Sequence, residues 1–258
     1  MSGLEGYNAL ITGGGRGIGA AAGLALARAG AKVSLAARNE AQVVQMAAEI
    51  RSEGLEAFAF RCDVTDERQV RDLVLSARDA MGRVDILVNN AGTAASNPLS
   101  RVTLAEWRHI MDVNATGTFL CTKAVYDRMA ERRWGRVVNI ASVAGLEGGR
   151  YITAYTAAKH AVVGFTKALA EESRGKGVTV NAVCPGYVDT PLTDETIARI
   201  MHHTGKDRQG ALDLLLAESG QSRLMRAHEV ADAILALCRE EAHGRNGEIV
   251  VLDGKEVP

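Results

Sequence analysis

Tyr7-Asn8-Ala9-Leu10-Ile11-Thr12-Gly13-Gly14-Gly15-Arg16-Gly17-Ile18-Gly19 is the stretch on which the fold of this 258-residue chain turns. A short apolar run, strand-like in composition, passes directly into a glycine cluster. An alanine-rich segment then reads as a helix to about Ala29, and Gly30 stands where a C′ glycine ends one. A turn of this kind exposes the unpaired N–H groups and partial positive charge of a helix start. Its glycines let the backbone come close to an anion. Gly15-Arg16-Gly17-Ile18-Gly19-Ala20 fits Gly-x-Gly-x-x-Ala loosely, and Thr12-Gly13-x-x-x-Gly17-x-Gly19 describes it better. Between strand and helix this pattern points to a bound dinucleotide pyrophosphate, with a plain tight turn as the alternative.

Outward from that turn, strands and helices alternate. Strands are expected at Ala31–Ala37, Ala57–Cys62, Val84–Val88, Val137–Ile140, Val178–Val183 (broken by Cys184-Pro185-Gly186) and Glu248–Leu252. Helices are expected at Glu40–Gly54, Asp66–Met81, Leu104–Arg132 with an interruption near Gly117, Ala154–Ala170 and His228–Cys238. Residues 191–222 read as a polar, charged insertion with helical patches and no firm apolar period, a substrate lid. This alternation predicts an α/β chain: one Rossmann-type, doubly wound parallel sheet, helices on both faces, as a single domain over 1–258. Its crevice lies beyond the carboxyl ends of the strands, where the glycine loop, Asn89-Asn90-Ala91-Gly92, Ser142 and Pro185-Gly186 all fall.

Composition narrows the function. Net charge is −1 and hydrophobic content 47%, so no global field favours nucleic acid or an anionic membrane. No apolar run approaches the roughly 18 residues of a membrane span, and the N-terminus lacks a basic region followed by a long apolar stretch. The four cysteines, Cys62, Cys121, Cys184 and Cys238, form no Cys-x-x-Cys pair. The expectation is a cytoplasmic protein with buried, reduced thiols and no metal. His202 and His203 have no third ligand at useful spacing.

Tyr155 and Lys159 stand at i and i+4, on one face of a helix. A nearby ammonium should favour the phenolate and draw the phenol's pKa below about 10, so that it exchanges a proton with an alcohol oxygen. Ser142, at the preceding strand end, would hold the same oxygen. Alone, Tyr-x-x-x-Lys is a frequent accident. At the end of the second strand, Ala36-Ala37-Arg38-Asn39 offers no carboxylate for a ribose 2′-OH. Arg38 suits a 2′-phosphate, and Arg16 could join it, unless Arg38 is merely solvated. Asp63 could accept from an adenine amino group or cap the helix near Thr65.

Taken together, the glycine loop, Asn89-Asn90-Ala91-Gly92, Asn114, Ser142, Tyr155, Lys159 and Pro185-Gly186 make the chain resemble the short-chain dehydrogenase/reductase family from about Leu4 to Leu252. The resemblance implies Tyr155 as general acid/base, Ser142 positioning the carbonyl, Lys159 lowering the tyrosine pKa and binding the nicotinamide ribose, and Asn114 anchoring a relay water. It implies cofactor contacts at Thr12, Gly13, Gly15, Arg16, Gly17, Ile18 and Gly19. Others fall at Arg38, Asp63, Val64, Asn90, Ala91, Gly92, Pro185, Gly186, Val188 and Thr190, with the Val188 backbone and Thr190 on the carboxamide. The expected activity interconverts a ketone and a secondary alcohol with NADP(H), NAD(H) remaining possible. Ala157–Pro191 looks most like reductases of 3-oxoacyl thioesters, polyketide types included, and 3-hydroxybutyrate dehydrogenases. The alternatives are a dehydrogenase of a small cyclic or aromatic alcohol and a non-catalytic dinucleotide sensor or scaffold. The resemblance also implies a homotetramer. The tail Asp253-Gly254-Lys255-Glu256-Val257-Pro258 departs from the Asp-Gly-Gly ending common in relatives.

Overall fold

The computed structural model describes residues 3–255. The terminal part of the atypical tail, from Glu256 on, lies outside the described residues. Seven parallel strands run β1 Asn8–Thr12, β2 Lys32–Ala37, β3 Ala57–Arg61, β4 Ile86–Asn89, β5 Gly135–Ile140, β6 Val178–Pro185 and β7 Ile249–Leu252. They lie side by side in the order β3-β2-β1-β4-β5-β6-β7. The order reverses between β1 and β4, which opens the expected crevice above that junction.

The helices are α1 Gly17–Arg28, α2 Glu40–Ser52, α3 Glu67–Met81, α4 Leu104–Met111, α5 Gly117–Glu131, α6 Thr153–Glu172, α7 Pro191–Thr204, α8 Arg208–Ser219 and α9 Ala227–Cys238. β1 is buried throughout, as a central parallel strand must be when helices cover both faces. Ala9 and Ile11 point to one face, into a core with Leu26 of α1, Ile50 of α2 and Ile234 of α9. Leu10 points to the other, toward Leu73 of α3, Val125 of α5 and Leu169 of α6. Gly30, at φ 101°, ends α1 as the C′ residue. All four cysteines are buried and free.

One element meets the sequence-based expectation of an interruption near Gly117, and two others differ from what the sequence suggests. Leu104–Arg132 is two α-helices joined by a π-helical turn, Asp112–Thr116, just before Gly117. β6 does not break at Cys184. It continues through Pro185, which pairs with Leu252, and Gly186 donates to the Leu252 carbonyl at 2.8 Å. The ladder to β7 does not call on the proline nitrogen, so its missing N–H goes unfelt. Residues 191–222 are a helical hairpin, α7 and α8, with a small core of Ile197, Ala211 and Leu215. Its apolar period exists but rests on few positions amid many charges.

Candidate active site

The crevice is assembled from five chain segments, and the first two are stapled together. The Thr12 hydroxyl donates to the Val88 carbonyl (3.4 Å) and accepts from the Asn90 and Ala91 N–H groups (3.0 and 3.1 Å). The Asn90 carboxamide returns two bonds, to the Thr12 and Gly13 carbonyls at 3.0 and 3.1 Å. The ends of β1 and β4 therefore hold the glycine loop in one shape. Gly13 and Gly17 have φ of 65° and 57°, a region costly for other residues. A Cβ at Gly19 would collide with the Gly13 carbonyl and the Asn90 carboxamide. α1 begins at Gly17 with no side-chain cap and no acidic residue in its first turn. Its free N–H groups, bare backbone and dipole fit a pyrophosphate, as the sequence pattern implies.

At the end of β2, Ala37 is half-buried and Arg38 exposed. Arg16 is not free for a phosphate alone, since its guanidinium lies 3.6 Å from the Glu195 carboxylate on α7. Asp63 resolves the open choice only in part. Its carboxylate accepts from the Thr65 N–H (3.0 Å) and hydroxyl (2.8 Å), while the cap of α3 is Asp66. Val64 is buried, and its side chain fills the space a Cβ on Gly117 would take.

Asn114 sits inside the π-helical turn, buried. Its carboxamide donates to the Thr93 and Ile110 carbonyls, both at 2.9 Å, and accepts from the Thr93 N–H at 3.4 Å. A Cβ on Gly92 would lie 3.0 Å from Asn114 Oδ1 and 3.7 Å from Lys159 Nζ, so the three converge. A π-turn widens the helix by one residue, which is how the carboxamide leaves the helix to reach Thr93.

Ser142 leaves β5 extended and caps the short turn Val143–Gly145, its hydroxyl accepting from the Ala144 N–H (3.2 Å) and lying 3.5 Å from the Pro185 carbonyl. Tyr155 lies in the first turn of α6, half-buried. Lys159, 4% exposed, donates to the Ile140 carbonyl at 2.8 Å, and its Nζ is 5.6 Å from the Tyr155 ring centroid. The electrostatics run against the expectation for the phenol. Burial pushes Tyr155 up to about 12, and a hydrogen bond from the Ser142 side chain only partly offsets it. Burial also brings Lys159 down to about 8. The same low dielectric disfavours both charged forms, and the Lys159 ammonium, still protonated at neutral pH, does not carry the tyrosine toward neutrality. At neutral pH this is a protonated phenol beside a second hydroxyl, a pair able to donate to a developing alkoxide.

Beyond β6, a Cβ on Gly17 would touch the Thr190 methyl, which brings the glycine loop and the start of α7 together. The Val188 carbonyl accepts from the Thr193 and Thr190 hydroxyls at 2.6 and 3.3 Å. A family model for short chain dehydrogenases matches residues 7–201. The chain belongs to the short-chain dehydrogenase family. It is 44% identical over 195 residues to a 3-oxoacyl-[acyl-carrier-protein] reductase of Synechocystis sp., covering 75% of this chain and 79% of that protein. A second 3-oxoacyl-[acyl-carrier-protein] reductase, from Vibrio cholerae, is 37% identical and covers 97% of each chain. A crystal structure of a variant of the actinorhodin polyketide ketoreductase with NADPH superposes with a TM-score of 0.93 at 35% identity, covering 96% of each chain. As a family member, the chain is an NAD(P)-dependent oxidoreductase.

Several residues shaping this dehydrogenase's site carry no sequence motif. Gln221 accepts from the Tyr187 N–H (2.7 Å) and donates to its carbonyl (3.2 Å), fixing the segment after Gly186. Glu195 holds Arg16. The carbonyl of Tyr151, a residue at φ 64°, accepts from the Asn97 N–H at 2.7 Å, tying together two loops beside the crevice. No local pattern announces these pairs, because each joins segments far apart in sequence.

Proposed function

We propose that the chain reduces the 3-oxo group of an acyl thioester, carried on coenzyme A or an acyl carrier, to a secondary alcohol with NADPH. The observation that carries this reading is the convergence of the Ser142 hydroxyl, the Tyr155 phenol and the buried Lys159 ammonium at the crevice, which sets two hydroxyl donors against one carbonyl oxygen. With its pyrophosphate held at the glycine loop, the reduced cofactor would supply hydride from its nicotinamide. Ser142 and Tyr155 orient the carbonyl oxygen, and the Tyr155 proton goes to that oxygen as charge builds on it. Lys159, whose Nζ is 5.6 Å from the Tyr155 ring centroid, would hold a ribose hydroxyl and steady the phenolate left behind. Thr12, Gly13, Gly15, Gly17, Ile18, Gly19, Asn90, Ala91 and Gly92 shape the cofactor cradle. Asn114 fixes Thr93, the residue after Gly92, and a relay water at its segment would complete proton return. Pro185, Gly186, Val188 and Thr190 bound the nicotinamide end.

NADP over NAD is supported by the absence of a carboxylate at the end of β2 and by the exposed Arg38. The thioester class is supported by the likeness to acyl-carrier and polyketide reductases. We also read the protein as a cytoplasmic homotetramer. Leu104, Trp107 and Phe119 are exposed on α4 and α5, apolar surface that a second copy would cover. The hairpin α7–α8 serves as the substrate lid. Among the described residues no helix is long and apolar enough to cross a membrane.

The deciding experiment follows NADPH oxidation across a panel of 3-oxoacyl thioesters, cyclic ketones and aromatic ketones, with the reverse reaction on the matching alcohols. Highest kcat/KM on the thioesters is expected. Preference for a cyclic or aromatic alcohol, run oxidatively, would replace this reading with the alternative dehydrogenase. Dinucleotide binding with no turnover on any substrate would point to a sensor.

A further inference from the structure

The stretch from Pro185 to Thr190 runs from one side of the crevice to the other. At its start the Ser142 hydroxyl lies 3.5 Å from the Pro185 carbonyl. At its end a Cβ on Gly17 would lie 3.1 Å from the Thr190 methyl. A dinucleotide with its pyrophosphate at the glycine loop and its reactive ring at Ser142 and Tyr155 therefore has to lie along this stretch. The stretch between them belongs to no strand or helix, because β6 ends at Pro185 and α7 begins at Pro191. Its backbone must take its shape from other partners.

Gln221 supplies most of them. Gly220, at φ 69°, ends α8 as the C′ residue, and the Gln221 N–H closes that turn on the Leu216 carbonyl at 3.1 Å. The turn sets Gln221, only 6% exposed, against Tyr187. Its carboxamide oxygen accepts from the Tyr187 N–H at 2.7 Å. Its carboxamide nitrogen donates to the Tyr187 and Arg223 carbonyls at 3.2 and 3.3 Å. A short parallel bridge extends the clamp: the Met225 N–H donates to the Tyr187 carbonyl at 3.0 Å and the Asp189 N–H to the Met225 carbonyl at 2.7 Å. Two glycines make room for the carboxamide. A Cβ on Gly186 would lie 2.6 Å from Gln221 Oε1, and one on Gly254 would lie 2.8 Å from Nε2. Gly254 is in the C-terminal tail, so three distant parts of the chain meet at one side chain.

A buried carboxamide with all its bonds made to backbone holds that backbone in a single arrangement. This one sits where the two stems of the α7–α8 hairpin meet, so the hairpin can open without carrying the stretch below it. Resting on the cofactor reading above, we infer that Gln221 is a positioning residue for the nicotinamide half of the cofactor, acting through the backbone of Gly186–Thr190, which it holds as a fixed wall. None of its hydrogen bonds goes to the glycine loop or to the end of β2, so binding of the adenosine half is independent of it.

The test is calorimetric titration with NADP and with adenosine 2′,5′-bisphosphate, which keeps the 2′-phosphate and lacks the nicotinamide. Gln221→Met keeps length and bulk and removes all three side-chain bonds. NADP should bind it about tenfold more weakly, and the bisphosphate within about twofold of wild type. Its kcat at saturating NADPH should fall by about 10- to 100-fold, as displacement of a reacting ring requires. Gly254→Ala reaches the same clamp from the tail by pressing a methyl on Nε2. It should give the same selective loss, smaller in size, and it carries the test where the methionine variant does not fold. Equal weakening of both ligands, or unchanged NADP affinity, overturns the role of Gln221. A wild type that binds neither ligand overturns the cofactor crevice on which the inference rests.

Discussion

The Lys159 ammonium donates a 2.8 Å hydrogen bond to the Ile140 carbonyl, locking the first turns of α6 to the end of β5. The cation is buried where its charge is poorly solvated, and its pKa falls to about 8 from 10.5. Below pH 8 the folded state therefore holds a proton at a cost. Between the two values the unfolded chain binds more protons than the folded one, so stability rises with pH across that window. Lys159→Met should abolish turnover and yet stabilise the protein at pH 7, by up to about 3 kcal/mol less the lost bond to Ile140. The gain should fade by about pH 10. Urea unfolding at both pH values checks this, and a variant destabilised equally at both would contradict it.

Tyr155→Phe removes the phenolic proton and keeps the ring. Turnover should fall by about 10³-fold or more while cofactor affinity stays near wild type. Because the phenol titrates only near 12, the limb of the kcat/KM profile nearest neutrality should sit near pH 8 and belong to Lys159. Stopped-flow turnover with cofactor titration by fluorescence provides the measurement. More than a tenth of wild-type kcat in the variant would remove Tyr155 from the chemistry.

Asn90→Ala cuts both carboxamide bonds to the Thr12 and Gly13 carbonyls. At about 1 kcal/mol per bond, stability should drop by about 2 kcal/mol. The loosened glycine loop should bind the cofactor about tenfold less well, with a smaller change in kcat. Calorimetric titration of NADP decides it, and an unchanged Kd would mean the loop holds its shape without Asn90.

Cofactor choice should lie in the last residues of β2. NADP is expected over NAD by tens of fold, as one or two exposed guanidiniums supply about 1.5–3 kcal/mol each before screening. Ala37→Asp with Arg38→Leu should reverse the preference. Glu195→Gln should raise it a few fold, because it frees Arg16 from its 3.6 Å partner. Ratios of kcat/KM for the two cofactors give the answer, and a wild type that prefers NAD would refute this reading of Ala37 and Arg38.

The α7–α8 hairpin is held by a small core, which makes it the element most easily opened. Amide exchange over 191–222 should be fast in the free protein and slow with cofactor and substrate bound. Leu215→Ala should hasten it further through a cavity cost of about 2–4 kcal/mol, most of it local. Equal protection in free and bound states would exclude a lid.

The sequence by itself determined the sheet, its parallel sense and the place of the crevice. Apolar strands followed by glycine turns and amphipathic helices admit few other arrangements, and Gly13, Gly17 and Gly19 declare a backbone that other side chains cannot adopt or would block. It also placed Ser142, Tyr155 and Lys159 near one another, since helix spacing and strand ends are local properties. The tertiary structure alone decided the rest, because burial and long-range pairing have no local signature. Only the packed interior shows that Tyr155 rises and Lys159 falls in pKa, that Asn114 reaches Thr93 through a π-turn, that Glu195 occupies Arg16, and that Ile197, Ala211 and Leu215 close a hairpin the charges had concealed. Arg136 makes the point most simply: in sequence it is one arginine among many, and only the pairing of β5 with β6 buries it beside an unbonded Thr179.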